Sequence, residues 1–251
     1  MRLLGTLRAV LSVVFIAAAT ILGSLWALAL CLIDSSGDRV VDLARAWSRA
    51  VLWFGGVKVT VEGHRHLRPG QPYVFMSNHL SSVDIWALLA VVPVRVRMIA
   101  KKQLGRIPLF GWAMRAGRFI FIDRTNAVAA RRSIEEAKRR IRGGQSVLIF
   151  PEGTRSRDGI LLPFKKGGFH LAIEAGVPVI PVALVGTRAC MPRKSLLLRA
   201  GHVRVVVGAE IPTAGLKESD RHVLLEKVRS EIAQMMENPP LEPPRGDVAS
   251  L

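Results

Sequence analysis

From Ala9 to Ile33 the chain is apolar for 25 residues, interrupted only by Ser12, Thr20, Gly23 and Ser24. At about 1.5 Å per residue, a helix of that length crosses a hydrocarbon core of roughly 30 Å. Arg2 and Arg8 precede the run, as the charged head of a secretory signal would, and Ala27-Leu28-Ala29 has the small residues of a cleavage site. A signal's apolar stretch is about 7 to 15 residues, much shorter than this one, so a retained anchor is expected. Arg39, Arg45 and Arg49 follow on the far side. The positive-inside rule therefore returns no orientation, and a spanning helix and one lying in a single leaflet both stay open.

Residues 38 to 54 place Val40, Val41, Leu43, Ala44, Trp47, Val51 and Leu52 among Arg39, Asp42, Arg45 and Arg49. This is the spacing of an amphipathic helix, suited to a membrane interface or to packing on the domain's own core. Gly55-Gly56 ends it. Beyond that point strand-like runs alternate with helical ones. Strands are expected at residues 58–63, 73–76, 94–100, 119–122, 146–150, 179–185 and 202–207. Helices are expected from Ser81, over 108–116, 126–142, 167–175 and 217–236. Such alternation predicts an α/β fold, a mostly parallel or mixed sheet flanked by helices, behind N-terminal membrane-associated helices. The expected organisation is an anchor over 1–36, an amphipathic interfacial helix over 37–56 and an α/β domain over 57–237. A proline-rich, disordered tail is expected over 238–251.

The strand-like run Tyr73 to Met76 ends on Ser77-Asn78, and His79 follows at once. Ser81 or Ser82 could cap the next helix, with Asp84 near its positive end and Ile85, Leu88 and Leu89 toward the core. A bend there lets Asp84 turn back to one imidazole nitrogen, leaving the other free to take a proton from a hydroxyl. No Gly-x-Ser-x-Gly elbow occurs in the chain, so that hydroxyl would belong to a substrate. A histidine capping a strand end beside an aspartate capping a helix is the plain structural alternative. A second strand-like run, Val147 to Phe150, breaks into Pro151-Glu152-Gly153-Thr154-Arg155-Ser156. Ligands of parallel sheets gather beyond the carboxyl ends of the strands. Both His79 and the Phe150-Pro151-Glu152 turn fall at such ends, so one shared site is expected.

Asn-His-x4-Asp and Phe-Pro-Glu-Gly-Thr-Arg-Ser together resemble the glycerolipid acyltransferases, especially the 1-acyl-sn-glycerol-3-phosphate acyltransferases. Two further blocks stand in the order that family has them, Gly117 to Arg124 (Gly-Arg-Phe-Ile-Phe-Ile-Asp-Arg) and Val177 to Val182 (Val-Pro-Val-Ile-Pro-Val). The resemblance covers residues 58 to 212. It implies His79 as general base with Asp84 as its orienting partner. The Glu152-Gly153-Thr154-Arg155 turn offers close backbone approach, a hydroxyl and a guanidinium fitted to bidentate phosphate contact. Arg155 is the first choice for an acceptor's phosphate. Glu152 repels phosphate, and orienting Arg155 or a glycerol hydroxyl is the role open to it within that set. Lys101, which resembles the family's phosphate-binding lysine, and Arg124 complete the set. The Val177 to Val182 block is associated with acyl binding in the family, and a buried strand explains it too. Leu80 stands where many members have glutamine, and Gln103 replaces a common glutamate; both bear on acceptor preference.

The implied reaction moves a fatty acyl chain from acyl-CoA or acyl-carrier protein to the free hydroxyl of 1-acyl-glycerol-3-phosphate (lysophosphatidic acid), giving phosphatidic acid. Another lysolipid, such as lyso-ornithine lipid, is the alternative acceptor. No cofactor is expected beyond the acyl thioester as co-substrate. The formal net charge of +17 and sequence pI of about 11.3 call for an anionic partner. Half the residues are hydrophobic, mean hydropathy is +0.30, and there is one tyrosine and no nucleic-acid recognition module, which favours an anionic membrane surface over nucleic acid. Acyl carrier protein is a further candidate partner, and the expected location is the cytoplasmic face of the inner (plasma) membrane. Cys31 and Cys190 show neither a disulfide framework nor metal spacing, and no metal site is expected. His64, His66, His170, His202 and His222 share no spacing with acidic residues and read as structural or surface groups. A rival from another class is a basic membrane-surface protein that keeps the fold without catalysis.

Overall fold

The computed structural model describes residues 2–63, 67–123 and 127–237. Two helices lead, α1 (Arg2–Leu30) and α2 (Asp38–Gly55). The alternating part follows as β1 (Val57–Gly63), β2 (Val74–Ser77), α3 (Val83–Val91), β3 (Val96–Lys101), α4 (Phe110–Ala116) and β4 (Ile120–Ile122). It continues as α5 (Ala127–Arg142), β5 (Ser146–Ile149), α6 (Gly167–Ala175), β6 (Val179–Val185), α7 (Thr187–Cys190), β7 (Gly201–Val207) and α8 (Arg221–Glu237). The tail expected to be disordered, along with Arg124, His64 and His66, lies outside the described residues.

The seven strands form one sheet in the order β1-β7-β6-β2-β5-β3-β4. From β6 to β4 all neighbours are parallel, while β7 runs antiparallel to β6 and β1 parallel to β7. The sheet is therefore mixed, and the amino ends of β1 and β7 lie at the same edge as the carboxyl ends of the other five strands. Strand periodicity splits the core in two. Tyr73, just ahead of β2, and Phe75 within it pack with Val41 and Val51 of α2 and Leu88 of α3. Val74 and Met76 point the other way, to Ala137 and Ile141 of α5, Phe169 of α6 and Val228 of α8. Burial on both faces explains why the central strands read as continuous apolar runs.

The apolar stripe of α2 is spent on the domain's own core, with Val41, Val51 and Leu52 all buried. Gly56 ends the helix at φ 72°, a left-handed conformation that costs glycine little and returns its N–H to Trp53 O. Helix α1 lies against α2 and α4 through small buried residues, Ala9, Ser12, Ser24 and Ala27, which allow close approach. Phe15 stacks on Phe54 at 4.2 Å between ring centroids. The outer side of α1 leaves Val10, Leu11, Val14, Leu22, Leu25 and Trp26 exposed. Its Arg8–Leu30 stretch, 23 residues, is long and apolar enough to cross a membrane.

Candidate active site

The turn between β2 and α3 is built around two fixed points. Asn78, fully buried, donates from Nδ2 to Leu184 O (2.9 Å) and accepts Leu184 N–H at Oδ1 (2.7 Å), clamping the end of β2 to β6. Ser81 donates from Oγ to Met191 O (2.7 Å) and accepts Val83 N–H (3.1 Å), so it caps the first turn of α3. Asp84 sits one residue further into the helix, fully buried, and turns back on the bend. Its Oδ2 accepts the backbone N–H groups of Leu80 (2.6 Å) and Ser81 (2.8 Å) and lies 2.7 Å from His79 Nδ1.

A carboxylate only accepts, so His79 must carry its proton on Nδ1 to satisfy Asp84. Nε2 is then the lone-pair nitrogen, and it has no partner among the described residues. Phe150 fixes the plane of the imidazole, stacking on it at 4.0 Å with 16° between the rings. The His79 side chain keeps 16% of its surface exposed, enough to meet a substrate.

Glu152 meets His79 from below. Gly153, at φ 72°, closes the turn by donating its N–H to Phe150 O (3.0 Å), which directs the preceding carboxylate inward. Glu152 Oε1 accepts His79 N–H (2.6 Å) and Oε2 accepts Leu162 N–H (3.0 Å), with the residue only 2% exposed. Ser156 N–H returns to His79 O (2.8 Å). The carboxylate thus binds the histidine's own backbone to the 156–163 loop. Both of these partners of the Glu152 carboxylate are backbone N–H groups, and among the described residues its side chain is not hydrogen-bonded to Arg155. Burial is the main cause that lifts its pKa to about 7, with Asp84 adding to the effect and the two backbone N–H bonds opposing it.

Arg155 donates from Nη1 to Ser82 Oγ (2.8 Å) at the start of α3, beside the histidine turn. Thr154 is exposed. Extending the registers of β2, β5 and β3 sets Lys101 level with Pro151 and Asn78, two strand spacings, about 10 Å, from the latter. Lys101 is exposed at the end of its strand, while the neighbouring Lys102 is held by Asp123 at 2.9 Å. His79, Asp84, Glu152, Gly153, Thr154, Arg155 and Lys101 therefore share one edge of the sheet. Arg124 lies outside the described residues. Of the other described histidines, His202 faces Thr60 (3.1 Å), and His170 lies 3.4 Å from Glu174, an i,i+4 acidic neighbour that the sequence reading had not paired with it.

An apolar cavity of about 450 Å³ opens beside this edge, between α1, α2, α3 and α4. Ile16, Gly23, Trp47, Trp86, Phe110 and Met114 line it, and Ser82, the partner of Arg155, belongs to its wall. The Val177 to Val182 block does not line this cavity. Its residues are buried in the sheet, divided between the two cores, and packing accounts for them. Sequence reasoning missed Ser82 as the seat of Arg155, Asn78 as a clamp and Phe150 as the histidine's stacking partner. Asn78 and Phe150 stood inside the quoted motifs, but their partners do not lie near them in the chain.

A family model described as Acyltransferase matches residues 58–185. The 1-acyl-sn-glycerol-3-phosphate acyltransferase alpha of Bos taurus is 34% identical over 204 residues, 81% of this chain and 71% of that one. The beta enzyme of Homo sapiens is 35% identical over 199 residues, 78% of this chain and 72% of its own. Among solved structures, the 1-acyl-sn-glycerophosphate (LPA) acyltransferase PlsC of Thermotoga maritima superposes with a TM-score of 0.78 at 26% identity, covering 93% of this chain and 97% of that one. With the motif residues gathered at one edge of a sheet shared with that structure, the chain belongs to the 1-acyl-sn-glycerol-3-phosphate acyltransferase family.

Proposed function

We propose that this chain transfers a fatty acyl group from an acyl-CoA or acyl-carrier-protein thioester to the free hydroxyl of 1-acyl-glycerol-3-phosphate. The observation that carries the reading is the unpartnered Nε2 of a histidine whose Nδ1 is fixed by a buried aspartate. His79 Nε2 takes the hydroxyl proton as the oxygen attacks the thioester carbonyl. The tetrahedral intermediate collapses, the C–S bond breaks, and the imidazolium returns the proton to the departing thiolate. An ester and a free thiol result, with no acyl-enzyme. Arg155 and Lys101 supply positive charge for the acceptor's phosphate, and the cavity beside Ser82 takes an acyl chain. Its volume of about 450 Å³ lies within the roughly 300–1,000 Å³ of ligand sites. Glu152 acts through His79, as a positioning residue. The work is done at a membrane surface, to which α1 holds the domain.

The test is thiol release from acyl-CoA by detergent-purified protein, with and without lysophosphatidic acid, beside His79→Ala. Release that needs the acceptor and falls roughly 10²–10⁴-fold in the variant supports the reading. Release without acceptor would mark a thioesterase. Silence with CoA and carrier-protein donors and with other lysolipids would leave a membrane-binding protein without catalysis.

A further inference from the structure

Pro192-Arg193-Lys194-Ser195-Leu196-Leu197-Leu198-Arg199 sets three leucines between cations, just ahead of β7. Leu198 is buried against the end of α2, where a Cβ built on Gly55 would stand 2.2 Å from Leu198 Cδ2. The loop is held by Ser195 N–H on Pro192 O (3.0 Å), Leu197 N–H on Ser195 Oγ (3.1 Å) and Arg199 N–H on Cys190 O (2.8 Å). Leu196 is left at its tip, 74% exposed. Trp53, 72% exposed, lies two residues from Gly55 in the last turn of α2. Arg8 of α1 donates to Trp53 O (3.0 Å) and Phe54 O (2.8 Å), and Val10, Leu11 and Val14 are exposed just beyond it. Apolar surface therefore runs from α1 over the end of α2 toward the Leu196 loop, bordered by Lys194 and Arg199, both exposed, and by Arg193. Single exposed leucines are ordinary, but an apolar surface rimmed by polar groups marks a docking site.

Its place in the fold says what docks there. Gly56 precedes β1 and Arg199 precedes β7, and the amino ends of those strands lie at the edge that carries His79. Ser81 Oγ on Met191 O joins the loop's root to the catalytic turn. The surface is continuous with α1, the one described helix long and apolar enough to cross a membrane. An exposed indole beside aliphatic and cationic side chains suits the interfacial layer of a bilayer, where a ring is half solvated and anionic headgroups meet the cations. A soluble protein seated there would have to share the surface with the lipid around α1. We propose that the Leu196 loop and Trp53 together enter the interfacial region of an anionic bilayer, as a lipid contact additional to α1. That contact sets the His79 edge against the headgroup layer, whichever lysolipid serves as acceptor.

The experiment uses the full chain with Cys31→Ser and Leu196→Cys, carrying an environment-sensitive fluorophore on the new thiol. The protein is reconstituted into phosphatidylglycerol–phosphatidylcholine vesicles holding nitroxides either near the headgroups or deep in the chains. The same label at Val223→Cys, an exposed position on α8, is the control. We expect the Leu196 label to shift to the blue and to be quenched more by the shallow nitroxide than by the deep one, with the control unaffected. Emission and quenching equal to the control would overturn the proposal. So would protection of the label by an acidic acyl carrier protein with none from vesicles. Neither readout needs turnover, so failure here is distinct from failure of the acyltransferase reading. Within that reading, Leu196→Asp with Lys194→Glu is expected to lose roughly tenfold activity on acceptor embedded in anionic vesicles and none in detergent micelles. Equal losses in both would make the loop merely structural.

Discussion

Glu152 shows how far one residue's role can depend on atoms its neighbours in sequence do not supply. Its two partners are backbone N–H groups, one on His79, 73 positions away, and one on Leu162 across the loop. Backbone donors leave no trace in side-chain pattern, so the motif could not show that the carboxylate brackets the histidine turn to the loop. The His79–Asp84 pair was legible for the opposite reason, since both members lie on one bend and the spacing alone closes the bond. The bracket also has a measurable cost. The Glu152 carboxyl titrates near its ordinary value of 4.5 in the unfolded chain and at about 7 in the fold. Between those values the folded state holds the proton more tightly, so stability falls as pH rises from about 4.5 to about 7 and is flat above. Glu152→Gln cannot ionise and lacks that slope. Its stability relative to the parent is expected to rise by about 3 kcal/mol across the window. Thermal unfolding of both proteins in detergent micelles from pH 4.5 to 8 checks it, and parallel curves would sink the assignment.

At the scale of elements, strand and helix identities followed from period and from glycine stops, because both faces of the sheet are covered and the central strands must be apolar throughout. Strand order and direction did not follow. Val203, Val205 and Val206 in β7 would pack as well beside a parallel neighbour, and only the pairing of Val182 to Val185 with Val207 to Arg204 reverses the strand. That reversal brings the 191–200 segment and the end of α2 to the edge that carries His79. The junction of β2 with β6 depends on Asn78, which satisfies both backbone groups of Leu184 from a fully buried position. Asn78→Asp keeps the shape but turns the donor toward Leu184 O into a second acceptor. We expect a loss of about 1–3 kcal/mol from the unsatisfied carbonyl and the buried charge. The histidine turn loses its tether with it, so kcat should fall while the KM for acceptor changes little. Unchanged thermal stability with unchanged kcat would show that the clamp is dispensable.

Across the whole molecule, the apolar N-terminal run does more than sequence reading assigned to it. An anchor needs only length and hydropathy, and both are present in Arg8–Leu30. Yet Ile16, Ala19, Thr20, Gly23 and Ala27 also form one wall of the cavity whose opposite wall carries Trp86, Met98 and Met114 from the α/β domain. The helix expected as an anchor and the α/β domain thus line one cavity together. Gly23 is the informative position, because a Cβ built on it meets nothing within 4 Å and its neighbours border the empty volume. Gly23→Leu should therefore place its side chain in the cavity without forcing the α1–α2 contact apart, and leucine raises rather than lowers helix propensity. If the cavity holds the acyl chain, the variant will keep its activity with short thioesters and lose long ones, roughly tenfold or more in kcat/KM for the longest donor that the parent accepts, as expected when bulk displaces apolar contacts worth about 0.8 kcal/mol per methylene. A matched series of acyl-CoA donors of rising length, assayed by thiol release in the same micelles, reads this directly. An unchanged length profile would place the acyl chain elsewhere and leave α1 as a tether alone.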